Sequence, residues 1–162
     1  SKNFKTCGGN VFLYGETGTG KTFLTNCSAR ALLDQGISVI YFTAAGLFDI
    51  LAENTFGKRQ DKDSDVFEHI YDCDLLIIDD LGTELPNSFT VSQLFICLNE
   101  RILRQKSTII STNLALEDIK SIYSERTFSR ISSNYTLLRI TGDDIRIQKK
   151  LLNLGGTNDV TP

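Results

Sequence analysis

The residues Gly15-Glu16-Thr17-Gly18-Thr19-Gly20-Lys21-Thr22, preceded by Val11-Phe-Leu-Tyr14, decide how the rest of the chain is read. The apolar run Val11 to Tyr14 ends at a glycine and reads as a buried strand. A helical pattern follows, with Leu24, Cys27, Ala31 and Leu32 at helical spacing, and Gly36 closes it. Between strand and helix, the eight residues fit G-x-x-x-x-G-K-[ST], the pattern of a phosphate-cradling loop in its required setting. Gly15, Gly18 and Gly20 let the backbone wrap closely enough for successive N–H groups to face phosphate oxygens. The start of the helix adds the positive end of its dipole. Lys21 supplies a cation for the β- and γ-phosphates, and the Thr22 hydroxyl is a ligand for Mg²⁺. A glycine-rich turn with a surface lysine is the plain alternative. The context on both sides favours a nucleotide site.

Further along, Ile37 to Phe42 reads as a second strand and 44–53 as a short helix. The charged segment 58–65 is expected to be an exposed loop, and 66–71 a short helix. Leu75-Leu-Ile-Ile78 is a third strand, 90–104 a helix, Thr108 to Thr112 a fourth strand, 117–131 one continuous helix and Tyr135 to Ile140 a fifth strand. A polar helix over 143–152 and a tail over 153–162 complete the expectation. Strands alternating with helices predict an α/β fold: three layers around a five-stranded, mainly parallel sheet covered on both faces. Ligands bind such sheets where strands end and helices begin.

The third strand ends in Asp79-Asp80. An apolar strand delivering a carboxylate beside a phosphate loop places Asp79 to hold Mg²⁺ through water. Asp80 is then placed to orient or deprotonate an attacking water, with Glu84 as a second candidate base. Alone, the pattern reads equally as a strand followed by an acidic turn. The fourth strand ends in Ser111-Thr112-Asn113, where Asn113 is either a neutral group for the lytic water or the N-cap of the next helix. Taken alone, capping is the better reading of Asn113.

Composition sets the frame. The 162 residues carry a net charge of -3, with 41% hydrophobic and 23% charged residues, as expected of one globular domain. No run approaches the length of a membrane span, and no signal segment opens the chain. Four scattered cysteines (Cys7, Cys27, Cys73, Cys97) have no C-x-x-C pair, so reduced thiols and a cytoplasmic location are expected. A chain starting at Ser1 without any Met is expected to be part of something longer. The charge is uneven: residues 49–100 carry 3 basic and 12 acidic groups, and residues 101–150 carry 10 basic and 5 acidic groups. Patches of this kind steer contacts more than the total does.

With these motifs in hand, residues 10–150 resemble AAA+ ATPases, and within them the DnaC/DnaI-type helicase loaders and the related IstB-type transposition ATPases. The resemblance rests on VFLYGETGTGKTFL, LLIIDDLGTE, TIISTNL and SERTFSRI in that order. It implies that Gly15 to Thr22 is Walker A, Asp79-Asp80 Walker B and Asn113 sensor 1. Arg130 matches the arginine finger that reaches the γ-phosphate held by a neighbouring subunit, and Arg146 lies where the family has its sensor 2 arginine. Arg126 is a weaker candidate for the finger. A basic helix face with a salt bridge to Glu125 or a neighbouring acid is the plain reading of both Arg126 and Arg130. Phe48 sits where the family contacts single-stranded DNA, yet Leu47, Phe48 and Leu51 also read as an ordinary core face. His69 is assigned no role. Two departures stand out. Asp80 replaces the more common Glu, and too few residues follow Ile140 for a helical lid domain of the usual size.

The resemblance implies Mg·ATP as cofactor, ATP hydrolysis to ADP and phosphate, and self-association with ATP at the subunit boundary. It also implies work on a replicative hexameric helicase, placing it on single-stranded DNA, through a partner-binding region N-terminal to an ATPase domain at 1–152. An IstB-type transposition helper carries the same motifs. A module that binds ATP without significant turnover is a further alternative. A GTPase would show Asn-Lys-x-Asp, which is missing here, and a nucleotide kinase would need an arginine-rich lid, whereas 58–65 holds a single arginine and balances three basic residues with three acidic ones.

Overall fold

The computed structural model describes residues 9–56, 64–142 and 144. Apart from Asp144, the expected helix 143–152 lies outside the described residues, as do the tail 153–162, Cys7, Arg146 and most of the 58–65 segment. Five strands, β1 (Asn10–Tyr14), β2 (Val39–Thr43), β3 (Leu75–Leu81), β4 (Ser107–Thr112) and β5 (Tyr135–Arg139), form one sheet in the order β2-β3-β4-β1-β5. Every pairing in it is parallel. The helices are α1 (Lys21–Leu33), α2 (Ala44–Phe56), α3 (Ser64–Asp72), α4 (Ser88–Leu103), α5 (Leu116–Tyr123) and α6 (Glu125–Asn134).

Parallel strands require crossovers, and the alternation of strand and helix supplies them. β3 is buried along almost its whole length because both of its faces are covered. Leu75 and Ile77 pack with Ala29 of α1 on one face. Leu76 and Ile78 face the larger core, which holds Phe12, Leu47, Phe48, Leu51, Leu94, Leu98 and Ile131. Phe48 is thus a core residue, 4% exposed.

The continuous helix expected over 117–131 is two helices. The chain breaks at Ser124, where φ is +89 and ψ is 155, and its hydroxyl accepts from the N–H of Thr127 at 3.5 Å to start α6. The amphipathic pattern runs across the break, because Ile119, Tyr123, Thr127 and Ile131 are all buried. Periodicity therefore reads one helix where the backbone turns. The third strand also runs further than expected, through both aspartates to Leu81.

Fully buried Arg101 fastens the opposite end of the sheet. Its guanidinium donates to the carbonyls of Ile70 at 2.6 Å and Cys73 at 3.3 Å, to the carbonyl of Ser107, and through Nε to the Thr108 hydroxyl at 2.9 Å. The carbonyls at the end of α3 are thereby satisfied by a cation.

Candidate nucleotide site

β1 ends at Tyr14, whose carbonyl accepts from the N–H of Ile140 at 2.8 Å. The next residue must be glycine, because a Cβ at Gly15 would lie 2.0 Å from the Ile140 carbonyl oxygen. Gly18 has φ +83, and its open side is filled by the Asp144 carboxylate, whose Cγ would stand 2.2 Å from a Cβ there. Lys21 is 4% exposed and folds back to donate to the carbonyls of Gly15 at 2.8 Å and Glu16 at 2.7 Å. Thr19 is buried and donates to the Glu16 carbonyl at 2.9 Å. Gly20, also at positive φ, is the N-cap of α1. Glu16 and Thr17 form the exposed rim of this loop. The result is a concave turn of backbone with a lysine across it, opening onto a helix N-terminus.

Between Ile78 and Leu81 the β3–β4 register shifts by one residue, and Asp80 takes φ +56. This bulge breaks the ladder, and two hydroxyls of β4 repair it. Ser111 Oγ accepts from the Asp80 N–H at 3.0 Å and donates to Oδ1 of Asp79. Thr112 Oγ1 donates to the Leu81 carbonyl at 2.6 Å and accepts from the Leu114 N–H at 3.0 Å.

Asp79 continues the face of Leu75 and Ile77, towards α1, and is 2% exposed. Tyr41 of β2 donates to its Oδ2 at 2.7 Å. Thr25 of α1 lies 3.5 Å from its Oδ1 and 2.9 Å from the Thr22 carbonyl. Thr22 begins the same helical turn. Asp80 is half-buried, with its carbonyl accepting from the Thr83 hydroxyl at 2.9 Å.

The capping role read for Asn113 is not the one found. α5 starts at Leu116 with Ala115 before it, and Asn113 is exposed in the link from β4. It lines a cavity of about 700 Å³ with Gly15, Glu16, Thr19, Arg139 and Gly142, so the fourth strand's end does face the phosphate loop. Glu84 is engaged elsewhere: Tyr123 donates to one oxygen and the Gly82 N–H to the other at 3.0 Å. Arg126 and Arg130 are exposed on α6, around a separate cavity of about 550 Å³ with Phe95, Glu125 and Ser129. Glu125 pairs with Lys120 at 2.9 Å rather than with either arginine.

Sequence reasoning missed Tyr41, Ser111 and Thr112. A hydroxyl at a strand end is a visible signal, but its target depends on which strand lies alongside. Among the described residues, no group of three or more His, Cys, Asp or Glu is arranged to hold a metal. Mg²⁺ takes one or two protein oxygens and completes its shell with water and phosphate, and Thr22 and buried Asp79 are the two residues here whose oxygens could take that part.

The family model for IstB-like ATP-binding proteins matches residues 1–153. The chain belongs to that family. The replicative helicase loader DnaC of Escherichia coli (strain K12) is 25% identical over 126 residues, which cover 76% of this chain and 51% of that protein. The chain therefore spans about half the length of the curated relatives it first matches. Among solved structures, that of a DnaC helicase loader superposes with a TM-score of 0.73 at 24% identity, covering 86% of this chain and 85% of the other. The replication initiator DnaA, bound to AMPPCP and single-stranded DNA, superposes with a TM-score of 0.73 at 23% identity over 98% of this chain and 50% of that one. These likenesses establish the AAA+-type P-loop fold. Among the described residues, no helix is long and apolar enough to cross a membrane.

Proposed function

We propose that this IstB-family domain hydrolyses ATP and is the AAA+ core of a replicative helicase loader. The observation that carries the reading is the Asp79 carboxylate, 2% exposed beside the phosphate loop and held by hydroxyls from two neighbouring strands. A buried carboxylate is costly unless it is hydrogen-bonded, and here the hydroxyls that hold it leave it beside the phosphate loop. In this reading Gly15 to Thr22 hold the phosphates, with Lys21 on the β/γ end, and Thr22 and Asp79 hold Mg²⁺. When bound, the metal neutralises charge developing on the transferred phosphoryl group. Asp80 receives the proton of the attacking water, and Asn113 orients that water from the strand end. Arg146, outside the described residues, is proposed as a further phosphate contact.

Arg130 lines a different cavity from Gly15 and Asn113, which supports a role on the nucleotide of a neighbouring copy. ATP at the boundary then holds copies together, and hydrolysis loosens them. The domain is proposed to act in the cytoplasm as an ATP-dependent switch that helps place a hexameric helicase on single-stranded DNA. The unit proposed to act as the ATPase is 1–152, and the helicase contact is proposed to lie outside it. The IstB-like match over 1–153 favours a second reading, a transposition helper built on the same switch.

ATP turnover measured across a range of protein concentrations, with and without single-stranded DNA, tests the proposal. Turnover that rises with protein concentration and responds to DNA is expected. ATP binding without turnover under any of these conditions would leave only a nucleotide-binding module.

A further inference from the structure

The hydroxyl groups around Asp79 divide its two oxygens unequally. Ser111 serves Oδ1. Thr25 also stands near Oδ1, at 3.5 Å, but it has one proton, and the Thr22 carbonyl at 2.9 Å is the closer acceptor. Oδ2 is reached by Tyr41 at 2.7 Å. Tyr41 likewise has one proton to give, and its oxygen accepts from Asn26 Nδ2 at 3.3 Å. Thr25 Oγ1 stands 3.4 Å from the tyrosine oxygen, so the carboxylate at 2.7 Å is the nearer acceptor for its proton. The ring is locked from below, packed with Ala29, Leu75 and Ile77 between α1 and the sheet. The hydroxyl thus ties β2 and α1 to a carboxylate near the end of β3.

We propose that Tyr41 is a positioning residue of the Mg²⁺ site, fixing the Asp79 carboxylate in the orientation that receives the metal's water shell. The proposal rests on the reading of Asp79 as a metal-holding group. A carboxylate buried to this degree has no bulk water to orient it, so its plane is set by its donors. Groups standing behind a metal ligand commonly carry a tenfold or larger effect on metal affinity when removed. Asn26 extends the arrangement, because it also donates to the Thr22 carbonyl at 2.7 Å. One small network thus touches the residue proposed to hold the metal from Walker A and the one that holds it from Walker B.

Tyr41→Phe removes the hydroxyl and keeps the packed ring. The test is the equilibrium binding of a fluorescent ATP analogue, titrated once in EDTA and once against increasing Mg²⁺. The expected result is unchanged affinity in EDTA, within about twofold, and a half-saturating Mg²⁺ concentration raised about tenfold. Ser111→Ala, which strips the other oxygen, is expected to shift the Mg²⁺ requirement in the same direction. An unchanged Mg²⁺ requirement in Tyr41→Phe, with the melting temperature retained, would overturn the proposal. A parallel loss of affinity in EDTA would also overturn it, since Tyr41 would then shape the phosphate loop itself. If Asp79→Ala leaves the wild-type Mg²⁺ requirement intact, the reading of Asp79 is what fails, and Tyr41 falls with it.

Discussion

The hydroxyl of Tyr123, the last residue of α5, donates to Oε1 of Glu84 in the loop that follows β3. Tyr123 is fully buried, and burial together with that carboxylate pushes its own ionisation far above the ordinary tyrosine range. With its second oxygen on the Gly82 N–H, Glu84 is an anchor between the Walker B loop and the α5–α6 junction. Asp80→Asn is therefore expected to abolish ATP turnover, whereas Glu84→Gln, whose amide oxygen still accepts from Tyr123, retains most of it. Steady-state turnover of the two variants decides between the candidate bases. The reverse ranking would make Glu84 the base.

Tyr123→Phe leaves Glu84 with one partner and is expected to lower stability by about 2 kcal/mol, the scale of a hydrogen bond to a charged acceptor. Urea unfolding checks it.

Lys21 spans the carbonyls of Gly15 and Glu16 while buried. Its ammonium is thus already desolvated and positioned before phosphate arrives. Lys21→Ala is expected to weaken ATP binding by about tenfold to a hundredfold, corresponding to one lost charge-assisted contact. Calorimetric titration with ATP measures it.

Arg130 is exposed and lines a cavity apart from the phosphate loop. Arg130→Ala is expected to bind ATP with wild-type affinity yet lose about 100-fold or more of its turnover. Mixing it with a Lys21→Ala variant should also leave part of the activity, because one copy then lends its arginine and the other its phosphate loop. Wild-type turnover in Arg130→Ala at high protein concentration would remove the finger role.

Arg101 holds three buried carbonyls and a hydroxyl, and among the described residues no carboxylate pairs with it. Arg101→Met fills similar volume but leaves the carbonyls of Ile70, Cys73 and Ser107 without that donor. A loss of about 3 kcal/mol or more is expected, read as a fall of about 10 °C in melting temperature.

Burial pushes the Cys97 thiol up to about 12 and raises Cys73 as well, while Cys27 is exposed. Of these three, Cys27 is expected to be alkylated under native conditions and the other two after unfolding. A thiol raised by folding contributes stability in full below its unfolded value, near 9, and loses that contribution as pH climbs towards 12. Stability is therefore expected to fall between about pH 9 and 12, and melting curves across that range check the sign.

The phosphate loop was legible in the chain because its function is carried by backbone, and glycine spacing encodes backbone directly. The strand ending in Asp79-Asp80 was legible for the same local reason, a run of apolar residues broken by charge. Periodicity failed at Ser124, since buried positions on both sides of the break keep a helical rhythm while the backbone turns. Asn113 had two local readings, and the capping one failed because the next helix begins only at Leu116, with Ala115 before it.

Linear order thus established the phosphate loop, the alternating α/β layout and the two carboxylates, each a property of residues adjacent in the chain. Packing decided the rest. Tyr41, Ser111 and Asp79 are far apart in the sequence and meet because parallel strands bring their carboxyl ends to one edge. Glu84 became an anchor through a tyrosine contributed by α5. Arg130 lies on a helix that starts afresh after Ser124 and lines a cavity apart from the phosphate loop, neither of which hydrophobic spacing records. Hydrogen bonds between side chains on different elements depend on register and sheet order, and these are settled only when the apolar faces of the whole chain are buried together.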